Sequence, residues 1–90
     1  MRESDIETYL NERVVKSGGL VRKVQWIGRR GAPDRLVGWP GRHALVEVKT
    51  PGAKARPEQA REHERLRAIG FLVFVVDTFE AVDLLIEGMA

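Results

Sequence analysis

Asp34, Glu47 and Lys49 are the residues of this 90-residue chain whose types and spacing could do chemistry together. They lie in the stretch PDRLVGWPGRHALVEVKT, residues 33–50, where Glu47 and Lys49 interrupt an apolar run. Burying an unpaired charge costs on the order of several kcal/mol. A strand that carries two charges in LVEVK therefore needs a reason for them. Side chains alternate along a strand, so Leu45, Glu47 and Lys49 point one way and Ala44, Val46 and Val48 the other. If the segment holding Asp34 pairs antiparallel through a turn at Trp39, Asp34 lies across from Glu47 and Lys49, and two carboxylates and an ammonium converge. Hard oxygen ligands of this kind suit Mg²⁺ or Mn²⁺, held by one or two carboxylates plus a substrate phosphate. The backbone carbonyl of Val48 could supply one more oxygen. A lysine beside such a cation orients or deprotonates an attacking water, or steadies charge building on a phosphorane. The plainer alternatives are a turn residue after proline at Asp34 and a surface pair on an edge strand at Glu47 and Lys49.

The elements that must position these groups can be read from periodicity. Ser4 followed by Glu7 has the form of a capping box, and Ile6, Tyr9, Leu10 and Val14 follow at helical spacing. Together they predict an amphipathic helix over 4–16, ended by Gly18 and Gly19. Loose alternation predicts a half-exposed strand over 20–27, turning at GRRG, residues 28–31. A short strand over 34–37, a type II turn at 38–41 and a third strand over 43–50 follow, closed by Pro51 and Gly52. Pro57 marks the first turn of a second helix that runs to Ile69, with Gln59, His63, Leu66 and Ile69 or Gly70 as its inward stripe. The run FLVFVV, 71–76, is apolar on both faces, which predicts a central strand; its arrival through a crossover helix predicts that it lies parallel to its neighbour. Asp77 or Thr78 caps a last helix with Phe79, Val82, Leu85 and Ile86 on its apolar face. The order α-β-β-β-α-β-α predicts an α/β fold, a mixed four-stranded sheet flanked by helices.

Ninety residues suffice for one core, so a single domain over 1–90 is expected. The chain is 43% hydrophobic and 31% charged, as ordinary globules are, and no apolar run approaches a membrane span. The N-terminus carries acids where a signal peptide has its basic and apolar regions, and there are no cysteines to form disulfides or thiolate metal sites. A cytoplasmic address, in a bacterium or a phage-infected host, is the expectation. Net charge is only +2 but unevenly spread. Arg22, Lys23, Arg29, Arg30, Arg35, Arg42 and His43 surround the single acid Asp34, and Lys49, Lys54 and Arg56 follow. From Asp77 onward there are acids and no cation. The asymmetry points to a polyanionic partner on one face, with a solvated face as the alternative. Arg29, Arg30 and Arg35 flank the aspartate, and a planar guanidinium fork reads phosphate well. Lys54 and Arg56 are candidates of the same kind. Trp26 and Trp39 could stack on bases, though tryptophans at strand ends more often join a core.

Asp34, Glu47, Val48 and Lys49 also reproduce PD...(D/E)xK, the active-site signature of a large nuclease superfamily, with Pro33 as the leading proline. The surrounding ESDIETYL, GRRGAPDRL, EVKTPG, RPEQ and the ending with HERL, AIGF and VV resemble the virus-type replication-repair nuclease domain (VRR-NUC), in its compact stand-alone form from phages and bacteria, over nearly the whole chain. The resemblance implies a restriction-endonuclease-like core, Mg²⁺ or Mn²⁺ as cofactor, and a structure-selective DNA endonuclease akin to Holliday junction resolvases that leaves a 5′-phosphate. Related resolvases carry on the first helix an acid that helps bind metal or water, and Glu7, Leu10, Val14 and Gly18 match its spacing. Glu7 also completes the box with Ser4, and Glu3 shares its flank, so the choice between the two acids stays open. The resemblance further places Gln59 as a polar residue facing the site from the second helix, with a solvated first-turn glutamine as the alternative, while His63 reads as a packed helix residue. One chain offers one site and symmetric cleavage of a four-way junction needs two, so a twofold homodimer is expected. The competing readings are an endonuclease for flaps, nicks or plain duplex within a larger assembly, and a non-catalytic module that binds nucleic acid.

Overall fold

The computed structural model describes residues 1–90. Helix α1 (Glu3–Lys16) leads into strands β1 (Leu20–Lys23), β2 (Arg35–Trp39) and β3 (Arg42–Val48); α2 (Pro57–Ala68), β4 (Val73–Val76) and α3 (Phe79–Met89) follow. The sheet order is β1-β2-β3-β4. β2 pairs antiparallel with both β1 and β3, and β4 runs parallel to β3. The element order and the parallel crossover are those read from periodicity.

Alternation decides the layers. Val37, Ala44, Val46, Val48 and Val76 point to one face, where Ile6, Leu10 and Val14 of α1 meet Val82, Leu85, Ile86 and Met89 of α3. Burying each such aliphatic chain contributes about 1.5–3 kcal/mol, so this face carries most of the stabilisation. On the other face Leu45, Leu66 and Val73 form a smaller cluster under α2, closed by Trp26, Leu36 and Phe71. Tyr9 ties α1 to α3: its hydroxyl donates to Asp83 at 2.7 Å, and its ring stacks on Phe79. Thr78 caps α3 by accepting from the Ala81 amide at 3.0 Å. No helix is long and apolar enough to cross a membrane.

Several boundaries differ from expectation. Ser4 lies inside α1, and the helix start is held instead by the Arg2 amide donating to the Asp5 carboxylate at 2.7 Å. Glu7 is thereby free of any capping duty. β1 ends at Lys23, because the chain beyond it leaves the sheet to form the loop that carries Trp26. β2 and β3 extend up to Trp39 and Arg42, leaving only Pro40 and Gly41 in the turn, with Gly41 at φ +76° as a type II turn requires. β4 is an edge strand, not a central one. Its apolar residues on both sides are used because the two clusters sandwich even this edge. The α2 stripe takes in Glu62 and stops at Leu66, leaving Ile69 74% exposed at the helix end.

Candidate active site

The β2–β3 hairpin sets the site. Its register pairs Arg35 with Val46, so one further step places Asp34 beside Glu47, on the face opposite Arg35 and Val46. Asp34 is fixed from both sides along the chain. Its carbonyl accepts from the Val24 amide at 2.9 Å, and the carbonyl of the buried Pro33 accepts from the Trp26 indole at 2.7 Å. Lys49 follows the last residue of β3, and its amide donates to the Val76 carbonyl at 2.9 Å, so β4 holds the lysine's backbone in place.

Burial pushes the Glu47 carboxyl up to about 7, and the Asp34 charge adds to the shift, while Lys49 opposes it. Glu3 raises it further and Arg56 lowers it, which places both charges within electrostatic reach. Two acids thus crowd each other, with the Lys49 charge near enough to offset part of the repulsion. A divalent cation would relieve that crowding, and the donors available are hard oxygens: Asp34, Glu47 and the Val48 carbonyl, which lies past the last β2 pairing. No cluster of three or more acidic or imidazole side chains forms. The residues fit Mg²⁺ or Mn²⁺, which keep several waters, better than a cation that demands a full protein cage.

The other expected residues divide. Arg35, expected to clamp phosphate from the surface, is 7% exposed and lies under α1, its Nη2 3.1 Å from Glu7 Oε2. That placement corrects the phosphate reading, because Arg35 shares the inward parity of Val37. Glu7 likewise contacts Arg35 rather than the acid pair, while the Glu3 charge reaches Glu47. Gln59 is buried, and its Oε1 accepts from the Arg56 amide at 2.9 Å, which ties that side of its amide to the start of α2. Arg29 lies 3.4 Å from the buried Glu62 and is half-exposed, which ties the β1–β2 loop to α2. Arg30, Lys54 and Arg56 are exposed and make no ion pair.

His63 is 1% exposed, with its Nε2 unpartnered and its pKa pushed down by burial and by Arg67 and Lys49, as suits a packed neutral imidazole. Trp26 and Trp39 are half-buried, the second donating to the Ser17 hydroxyl at 2.9 Å. Both serve packing. Two contributions escaped sequence reading: the burial of Glu62, and the bond of Asp77, expected only as a candidate helix cap, whose carboxylate accepts from the Gly52 amide at 3.2 Å and anchors the loop after β3. Glu62 has a faint signal in its helical spacing next to the His63 stripe; the Asp77 bond has none.

Sheet order and helix placement define a restriction-endonuclease-like α/β core, with the acid pair at one end of the central β2–β3 hairpin. No family model matches the sequence. A relative from Acyrthosiphon pisum secondary endosymbiont phage 1, named "Putative nuclease p44", is 49% identical over 79 residues, 87% of this chain and 85% of the relative. A solved structure of a "VRR_NUC domain" matches with a TM-score of 0.87 and 48% identity over 97% of each chain. The chain belongs to the VRR_NUC, or virus-type replication-repair nuclease, domain family.

Proposed function

We propose that this chain is a divalent-metal-dependent endonuclease that hydrolyses phosphodiester bonds in DNA, selects four-way junctions and acts as a twofold homodimer. The observation that carries the reading is Glu47, a half-buried carboxyl pushed up to about 7 by burial and by its neighbour Asp34, with Lys49 beside it. A fold that holds two acids in such conflict is prepared for a cation. Asp34, Glu47 and the Val48 carbonyl would hold Mg²⁺ or Mn²⁺. When bound, that ion supplies charge neutralisation at the scissile phosphate and lowers the pKa of water.

The chain's own residues do the rest. The Lys49 ammonium orients the attacking water and steadies negative charge developing on the phosphorane oxygens. Attack in line forms a water-oxygen to phosphorus bond and breaks the bond from phosphorus to the 3′ oxygen. The attacking water releases a proton to solvent, the leaving oxygen takes one up to become a 3′-hydroxyl, and a 5′-phosphate remains. Arg30, Lys54 and Arg56 face solvent, the last within electrostatic reach of Glu47, and would supply phosphate contacts, with the half-exposed Arg29 in a lesser part. The single domain and the cytoplasmic setting complete the proposal.

A panel of four-way, flap, nicked and linear DNAs, each incubated with and without Mg²⁺, tests it. Cleavage should need the metal and be fastest on the junction. Asp34→Asn and Lys49→Met should each lower it by about two to four orders of magnitude while folding and DNA binding survive. Faster cutting of flaps or nicks sinks the junction preference, and monomeric mass by light scattering sinks the homodimer. Loss of neither activity nor metal response in Asp34→Asn removes the site itself.

A further inference from the structure

The proposed reaction does not use Arg35, and a buried arginine is costly to keep. It is 7% exposed, and its guanidinium stands between two carboxylates on different elements. Nη2 lies 3.1 Å from Glu7 Oε2 on α1, and Nη1 lies 3.8 Å from Asp34 Oδ2. Nη1 is buried without a hydrogen-bond partner. A buried guanidinium donor is thus left unpaired about 1 Å farther from that carboxylate than a hydrogen bond allows. Asp34 precedes the first residue of β2, so its carboxylate sits at the strand end, where a chain from the opposite face can reach it.

The geometry points to Glu7 and Arg35 as a positioning pair for Asp34. Glu7 grips one arm of the guanidinium from α1, and the other arm is held ready to donate to Asp34 Oδ2. That bond would fix the carboxylate's rotamer and leave its second oxygen for the cation. Glu7 therefore acts on the site through Arg35 and not as a ligand of its own. A salt bridge that merely fastened α1 to the sheet would need neither the second arm nor its burial beside Asp34. The inference rests on the reading of Asp34 as a metal ligand, but not on cleavage of any particular DNA.

Arg35→Lys separates the two roles, because lysine keeps the charge against Glu7 but has no fork to reach Asp34 as well. Thermal unfolding should stay near wild type. Binding of Mn²⁺ alone, read by electron paramagnetic resonance, and Mg²⁺-dependent cleavage should each weaken by about tenfold or more, as loss of a partner that orients a metal ligand does. Wild-type Mn²⁺ affinity in a folded Arg35→Lys overturns the positioning role. If Arg35→Lys does not fold, Glu7→Leu combined with Arg35→Met replaces the buried ion pair with apolar chains and keeps the test open. That variant should fold and bind Mn²⁺ as weakly as Arg35→Met alone. Further loss on adding Glu7→Gln to Arg35→Met would show that Glu7 reaches the metal directly and would overturn the relay. Because Mn²⁺ binding is read without DNA, a wild type that binds Mn²⁺ but cuts nothing defeats the nuclease reading while leaving this inference standing or falling by itself.

Discussion

Glu47 holds its proton more tightly in the folded protein than in the unfolded chain, since burial and the Asp34 charge raise its pKa from 4.5 to about 7. Below 4.5 both states are protonated and the shift has no effect on stability. As pH rises from there to 7 the unfolded chain ionises first, so the metal-free fold loses stability across that window, and above about 7 the loss is complete. Glu47→Gln removes the titration. Relative to wild type it should be more stable at pH 8, by roughly 1–2 kcal/mol once solvent screening of a half-buried group is allowed for, and equal to it near pH 4. Urea unfolding at the two pH values checks this. The same linkage makes Mg²⁺ binding by the wild type strengthen between about pH 6 and 8, because the cation must displace the Glu47 proton. A flat affinity over that range would mean that Glu47 is not a ligand.

At the scale of elements, the β1–β2 loop is held against α2 by more than one bond. The Arg29 guanidinium meets Glu62, and Gly31 packs against the helix start at φ +82°. A Cβ there would sit 3.0 Å from the Glu58 carbonyl oxygen and 3.1 Å from the Gln59 Cα. Both are backbone atoms that cannot move aside cheaply. Gly31→Ala should therefore cost about 1–3 kcal/mol in unfolding and slow cleavage by displacing Pro33 and Asp34, without changing any charge. Cleavage at the wild-type rate in the folded variant would show that the loop does not set Asp34. The hairpin itself was legible from Pro40 and Gly41 and from the alternation in ALVEV. The loop's docking on α2 was not, because nothing local in GRRGAP shows which surface will approach the glycine.

The whole molecule measures 32 × 32 × 21 Å, small enough that charges on separate loops share one field. Arg30 lies far in sequence from Lys54 and Arg56, and none of the three carries an ion-pair partner. Replacing each with Ala should weaken DNA binding evenly across sequences and lower the slope of log affinity against log salt by about 1 per residue. Arg35→Lys should leave that slope alone, since Arg35 is buried. A fluorescence titration at several salt concentrations separates the two groups, and an unchanged slope in the triple variant would place the DNA elsewhere.

Periodicity and turn chemistry determined the element order, the crossover and the antiparallel hairpin that brings the Asp34 end of β2 toward the far end of β3, because all of these depend on neighbours in the chain or one strand away. The aliphatic stripes of α1 and α3 were legible for the same reason, in Ile6, Leu10 and Val14 and in Val82, Leu85 and Ile86. Three things had to wait for the tertiary structure: the edge position of β4, the bond from the Arg56 amide to the Gln59 side chain, and the burial of Arg35 against Glu7. An apolar strand looks the same from sequence whether it has one neighbour or two. An arginine at a strand start looks the same whether a helix covers it or water does. Burial and long-range ion pairing are properties of where distant segments meet, and only the packed chain fixes that.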